Sequence, residues 1–491
     1  MTGDRIGQVG GVPRILWVVL AVAVCLRLAA LVLLHGPDLV SASESGLTAA
    51  NWVGGRGYTF DFYGYRTASP LQSFMPPLFT AVVAACLVTP WPEITSGIVQ
   101  VALSSLTVLL VYLIAVRLAS PTVGLVAAAL TAVYPPFLVL VDQNTSPVLH
   151  TFLLALWLWA TMGMIDQGVS VAGRTPPGMK MPGVGARPAD SWGGRKWAAL
   201  AGLALGLNIL SRPSSAGLLG VMLLGLWLRP GGHAGPLAAV LERTVSGRLK
   251  RWGARLGSWR RPAAVVVATM GLTVAPWVAR DLVVHRRFVW ISTNGGLNFW
   301  VGNNPFTTGS CFDVVIADLA GYSGEAVAAA EGASIVQVKP YPLPLELRDT
   351  AATLDEVALD RALYRASFSF IRADPQRWLG LLAQKLVSLW WFRPNIGLSS
   401  GFYEEGWILP YKILYSGVLA AALAGLVLSA KRWRRYVPLY GTFAYLTAVY
   451  VVYHAITRYR WEMEPYLLVL AALALVAGWR RVWAAVRRKA G

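Results

Sequence analysis

The chain has 491 residues, of which 56% are hydrophobic and only 14% charged, far below the roughly 25% charged residues of a soluble domain. Its net charge of +19 would suggest nucleic acid on a soluble chain. Here 22 of the 43 basic residues fall in three hydrophilic stretches that border apolar runs, the bias of cytoplasmic loops in membrane proteins, so a soluble globular protein is excluded and no nucleic-acid partner is expected.

The prediction is an all-α polytopic membrane protein with about ten transmembrane helices, one re-entrant or interfacial helix and a mainly helical exported loop domain. Residues 15–34 form the first span. No short apolar region with a cleavage site precedes it, so it reads as retained. Arg27 lies deep within it, where a charge demands a partner, and an acid of the site is a candidate. Segment 36–96 is the first outer loop. It includes the apolar run 76–88, which opens on Pro76-Pro77 and is too short to cross. Spans follow at 98–116, 121–140 and 147–166, with Asp142–Ser146 outside between the last two. Residues 167–196 are inside and rich in Pro and Gly. A short helical pair over 197–229 turns outside at Ser211-Arg212-Pro213, and the basic stretch 230–262 is inside. Span 263–283 leads to the large outer segment 284–409, whose 12 acidic and 10 basic residues suit export. Spans 410–430, 436–453 and 463–479 complete the chain, with Lys431–Arg435 and the basic C-terminus inside.

Three regions result. Residues 1–283 are an N-terminal transmembrane catalytic module, 284–409 an outer-face loop domain, and 410–491 the C-terminal helices with a basic cytoplasmic tail. Within the loop domain, helical periodicity runs over 355–392 with a break at Asp374-Pro375. Trp378, Trp390 and Trp391 suit a headgroup layer, so the segment is expected to lie on the membrane as a lid. Cys25, Cys86 and Cys311 offer no disulfide framework.

With this topology, Glu44, Asp142, Arg212, Arg280, Asp281, His454, Arg458 and Arg460 all sort to the outer side. Polar residues at membrane depth mark substrate paths, so the site is expected to face outward. Residues 292–305, with four Asn and three Gly, read as a turn-rich segment whose amides either cap turns or meet hydroxyl-rich ligands such as sugars. No metal-ligand cluster and no phosphate loop of the Gly-x-x-x-x-Gly-Lys kind is visible, so no cofactor is expected.

Several short pieces, in this order, resemble the family-39 type of polyprenyl-phosphate-dependent glycosyltransferases, which have the type C fold and include protein O-mannosyltransferases and lipid A aminoarabinose transferases. The pieces are Arg27 in the first span, Glu44 to Gly57-Tyr58, Met75-Pro76-Pro77-Leu78 and Leu210-Ser211-Arg212-Pro213. Pro276-Trp277 with Arg280 follows, then Thr293-Asn294-Gly295-Gly296 through Gly302-Asn303-Asn304-Pro305, and Arg458-Tyr459-Arg460 with Glu464-Pro465. The resemblance implies inverting transfer of one sugar from a polyprenyl-phosphate donor to a glycan, lipid or protein acceptor on the outer face of the plasma membrane. A first-loop acid is the implied base. Where the family has an Asp, this chain offers Ser41 and Glu44, and where it often has a second acid, Pro147 stands, five residues after Asp142.

The chemistry asks for the same residue types: a base for the acceptor hydroxyl and cations for the departing phosphate, preferably guanidinium. Glu44 and Asp142 are therefore the catalytic candidates. Arg212, Arg280, Arg458 and Arg460 are candidates for the phosphate, Tyr459 for substrate binding, and Asn294, Asn298, Asn303 and Asn304 for the sugar or lid. The partners expected are the lipid-linked sugar donor, membrane lipids and the acceptor. Two alternatives stay open: a lipid-linked sugar transporter or flippase, and a catalytically degenerate partner in envelope assembly. Against the transporter, the halves show no internal repeat.

Overall fold

The computed structural model describes residues 8–9, 12–34, 43–62, 67–141, 145–167, 192–228, 245–305, 307, 343–344, 347, 350–391 and 405–490. Ser41, Asp142, Cys311, nearly all of loop 167–196 and residues 230–244 lie outside them. Proline begins many helices, as its missing N–H allows at a first turn. In chain order they are α1 (Arg14–Leu34), α2 (Glu44–Val53), α3 (Pro77–Leu87), α4 (Pro92–Leu118), α5 (Pro121–Val133), α6 (Pro135–Val139) and α7 (Pro147–Gln167). Next come α8 (Trp192–Ser211), a 3-10 turn at Pro213–Gly217, α9 (Leu218–Leu228), α10 (Val245–His285) and α11 (Gly295–Gly302). The chain ends with α12 (Glu356–Ala373), α13 (Pro375–Trp390), α14 (Glu405–Ser429), α15 (Trp433–Val452), α16 (Thr457–Trp461) and α17 (Glu464–Ala490). Strand pairing among the described residues is limited to Gln8–Val9 with Val12–Pro13 and a bridge between Phe60 and Leu71.

Among the described residues, six apolar helical segments are long enough to cross a membrane: Arg14–Leu34, Pro92–Leu118, Pro147–Asp166, Arg260–His285, Leu409–Val452 and Glu464–Lys489. The fifth is divided by a 3-10 turn at Ala430–Arg432 into α14 and α15. The chain is thus an all-α multi-pass membrane protein. The 11 residues of α3 extend only about 16 Å at 1.5 Å per residue, roughly half of a hydrocarbon layer.

Three expectations change. The stretch 245–262, predicted as loop, is the first half of α10, which continues through Pro262 and Pro276. The predicted span 121–140 is broken into α5 and α6 at Tyr134, because Pro135 and Pro136 supply no N–H and disfavour helix in the residue ahead. The Asn-rich segment, read as turns, folds into α11.

The break after α5 also explains Arg27. In a continuing helix the carbonyls of Thr131 and Ala132 would accept from residues 135 and 136, both prolines. Arg27 is fully buried and donates instead to Ala132 O at 3.1 Å and Thr131 O at 3.3 Å, with Ser104 Oγ at 2.6 Å and Ala23 O at 3.1 Å. Its partners are backbone and hydroxyl oxygens, where the sequence had suggested an acid of the site. In an apolar medium each such carbonyl needs a donor.

The large loop is fastened by polar contacts. Asp355 caps α12 through Ala358 N at 2.8 Å, and Asp374 caps α13 through Arg377 N at 3.0 Å, as Asp does at helix starts. The Glu356 carboxylate accepts from Gln72 N at 2.6 Å and Ser73 N at 2.9 Å, and from the Thr293 hydroxyl. Lys385, on α13 and fully buried, donates to Asn303 Oδ1 at 3.0 Å and Tyr453 O at 2.9 Å, where a cation suits the exposed carbonyls at the end of α15. Trp378 Nε1 donates to the same Asn303 oxygen at 3.0 Å, and Trp390 packs against the main core. Of the three tryptophans expected at a headgroup layer, Trp391 remains about half exposed.

Replacing Arg27 by Met is expected to destabilise the fold by about 1–3 kcal/mol for each carbonyl left without a donor. Adding Pro135→Ala and Pro136→Ala, which restore two N–H groups, should recover part of that loss in thermal unfolding of detergent-solubilised protein. Equal melting of Arg27→Met and wild type would contradict the account.

Candidate functional site

A cavity of about 610 Å³ opens where many helix ends meet. The starts of α2 and α7, the turn after α8, the loop before α11, the cavity-facing side of α12 and the chain from the end of α15 into α16 all line it. The opposite ends of the bundle hold a different polar contact, Arg117 with Asp166 at 3.0 Å.

Of the predicted site residues, Glu44, Arg212, Asn294, Asn298, Arg458 and Tyr459 line the cavity. Glu44 is the first residue of α2, placed by the Ser43 N-cap, whose hydroxyl accepts from Gly46 N at 3.0 Å. Arg212 extends the end of α8, and its guanidinium meets Glu462, with Nη2 2.6 Å from Oε1 and Nη1 3.0 Å from Oε2. Glu462 is fully buried. Its Oε2 also contacts His150 Nδ1 at 3.0 Å and accepts from the Tyr450 hydroxyl at 2.7 Å, while His150 Nε2 lies 3.0 Å from Ser215 Oγ. Burial favours the neutral acid, but Arg212 and then His150 outweigh it and hold the carboxyl below its ordinary pKa. Arg212 is therefore largely neutralised before any ligand arrives.

Arg458 differs. It comes from the short helix α16 and lines the same cavity, yet its Nε is buried with no hydrogen-bond partner among the described residues. No carboxylate pairs with it among them. A buried guanidinium Nε with no partner among the described residues is a donor available to an anion.

His454 is buried between two defined contacts, Nδ1 at 3.1 Å from Asn298 O and Nε2 at 2.9 Å from the Tyr459 hydroxyl. That geometry assigns the proton to Nδ1, with Tyr459 donating to Nε2. Burial lowers the His454 pKa to about 4, with Lys385, Arg458 and Arg212 adding to the effect and the Asn298 carbonyl opposing it. The ring is neutral near pH 7 and brings no charge to a ligand.

The other predicted residues are engaged elsewhere. Arg460 is fully buried, 2.6 Å from Glu464 and 3.8 Å over the Tyr415 ring. It joins α16 to α14 and α17 and is not among the cavity residues. Arg280 donates to Ser73 Oγ and Asp281 Oδ1, both at 2.7 Å, and lies over Trp277. Asn303 and Asn304 turn their amides back onto Phe299 O at 2.8 Å and Trp300 O at 2.9 Å, so the helix itself consumes these donors. Asn298 likewise donates to Asn294 O at 2.9 Å while still lining the cavity.

Sequence reasoning missed Glu462, His150 and Tyr450, which nothing local marks. It also missed Asp360 and Tyr364 on α12, which line the cavity. Here a signal existed: Asp360 is an acid in helical phase with Val357, Leu363 and Tyr364, on the apolar side of an amphipathic helix.

No protein-family model matches the chain, and no curated protein does. Among solved structures, the apo oligosaccharyltransferase of Archaeoglobus fulgidus aligns with 97% of this chain and 52% of its own, at 13% identity and a TM-score of 0.51. The same enzyme in complex with zinc and sulfate aligns with 94% of this chain and 49% of its own, at 13% identity and a TM-score of 0.50. ArnT from Cupriavidus metallidurans bound to undecaprenyl phosphate covers 94% of this chain and 77% of its own, at 16% identity and a TM-score of 0.39. The chain thus shares a fold with part of the oligosaccharyltransferase and spans about half of that protein's length.

A pH prediction follows from His454. Its pKa falls from an ordinary 6.5 to about 4 on folding, so between these values the unfolded chain binds more protons, and stability rises with pH. Acidifying from pH 7 to 4.5 should lower the melting temperature of the wild type more than that of His454→Asn. Parallel pH profiles would remove His454 as the cause.

Proposed function

We propose that the cavity is the active site of a membrane glycosyltransferase that moves a sugar from a polyprenyl-phosphate donor to an acceptor hydroxyl, with inversion, on the outer face of the plasma membrane. The observation that carries this reading is Arg458: a guanidinium whose buried Nε has no partner among the described residues, in the same cavity as Glu44. A guanidinium fork matches the oxygens of a phosphate bidentately. The fold shared with an oligosaccharyltransferase supports glycosyl transfer.

In this mechanism the acceptor oxygen attacks C1 of the sugar while the bond from C1 to the phosphate oxygen breaks. The electron pair leaves on the phosphate, which Arg458 stabilises, and the acceptor proton passes to Glu44. Arg212, held by Glu462, positions this wall of the cavity and adds donors without contributing a full free charge. Tyr459 is fixed by stacking on Tyr450 at 4.7 Å and by its bond to His454. Asn294 and Asn298 border the space for the sugar.

Purified protein in bilayers, given a panel of polyprenyl-phosphate sugars, should release free polyprenyl phosphate from at least one. Glu44→Gln should lower kcat about 10²–10⁴-fold, the usual contribution of a general base. Release that survives this change would shift the base to another acid such as Asp142. Arg458→Gln should raise the donor KM roughly tenfold or more, the effect of losing a charged hydrogen bond. No release from any donor, in protein that binds one, would favour a carrier or a degenerate partner.

A further inference from the structure

Asp360 is unused in the mechanism above. It lines the cavity, and its Oδ1 accepts from Gly296 N at 2.6 Å. The two backbones touch there, since a Cβ on residue 296 would lie 2.1 Å from the Asp360 carbonyl oxygen. α12 and the start of α11 therefore hold this carboxyl rigidly. One turn earlier, Glu356 is spent on Gln72, Ser73 and Thr293. One turn later, Tyr364 lines the cavity and its hydroxyl lies 2.9 Å from that of Tyr453.

A carboxylate offers about four acceptor positions, and the Gly296 N–H takes one. Burial raises the Asp360 pKa to about 7, an effect that Glu356 reinforces and that the Gly296 N–H and Arg361 oppose. Such a group is available as an acceptor near neutrality and gains from hydroxyl donors that replace lost water. Capping Gly296 N–H would account for one oxygen alone; the position on the cavity wall calls for more.

We propose that Asp360 reads the transferred sugar, its carboxyl accepting hydrogen bonds from ring hydroxyls of a polyprenyl-phosphate-linked sugar whose phosphate lies at Arg458. The inference rests on the donor site proposed above and adds its specificity-determining residue. Because Asp360 belongs to α12, the sugar would be read from the wall of the cavity that this helix forms.

The test compares affinities of the full chain in nanodiscs for undecaprenyl phosphate and for undecaprenyl phosphate carrying glucose, mannose, galactose or arabinose. Wild type is expected to bind at least one sugar-bearing lipid roughly tenfold or more tightly than the bare lipid, the scale of hydrogen bonds to a charged group. Asp360→Ala should erase that preference while leaving the bare lipid's affinity within about twofold. Asp360→Asn retains an acceptor for Gly296 N–H, so a reduced preference in this variant separates ligand reading from loss of the cap. Unchanged preference in both variants, equal weakening of all lipids, or no preference in wild type would overturn the proposal. Binding of bare undecaprenyl phosphate that Arg458→Gln leaves intact would instead overturn the phosphate site, a separable result.

Discussion

A carboxylate buried away from water must be met by charge or donors, and Glu462 is the group on which the site depends. It draws His150 from α7, Arg212 from the end of α8 and Tyr450 from α15 onto two oxygen atoms. Leaving any of the three unpartnered in such surroundings would be costly, so these helix ends are held in one arrangement. The cavity lies against that knot, with Arg212, Tyr450 and Tyr459 on its wall.

The same rule sorts the arginines. Arg460 is consumed by Glu464, Arg280 by Asp281 and Ser73, and Arg212 by Glu462. Arg27 serves carbonyls that prolines leave without donors. Arg458 keeps a buried Nε that has no partner among the described residues, at the cavity. Five arginines that look equivalent as letters therefore have unequal charge to offer, and the functional proposal follows from that inequality.

The segment that holds α12 and α13 obeys a related economy. Lys385, Trp378 and Asn303 tie α13 to the end of α15, and Glu356 ties α12 to the first loop. Asn303 and Asn304 satisfy helix carbonyls with their amides. Side chains that resembled ligand groups thus serve to close the structure, leaving Asp360, Tyr364, Asn294 and Asn298 at the cavity.

The sequence by itself determined the class of protein, most of the long apolar helices and the break at Asp374-Pro375, because apolar length, proline and capping residues act locally along the chain. It also singled out Glu44, Arg212 and Arg458 as outward-sorted charges. Only the tertiary structure decided which charges remain available. Pairing between Arg212 and Glu462, 250 residues apart, depends on where helix ends converge, and no local periodicity encodes that. The helical fold of 295–302 was hidden for the same reason: Gly and Asn favour turns locally, but burial of Leu297, Trp300 and Val301 against α12 and the first loop overrides that preference.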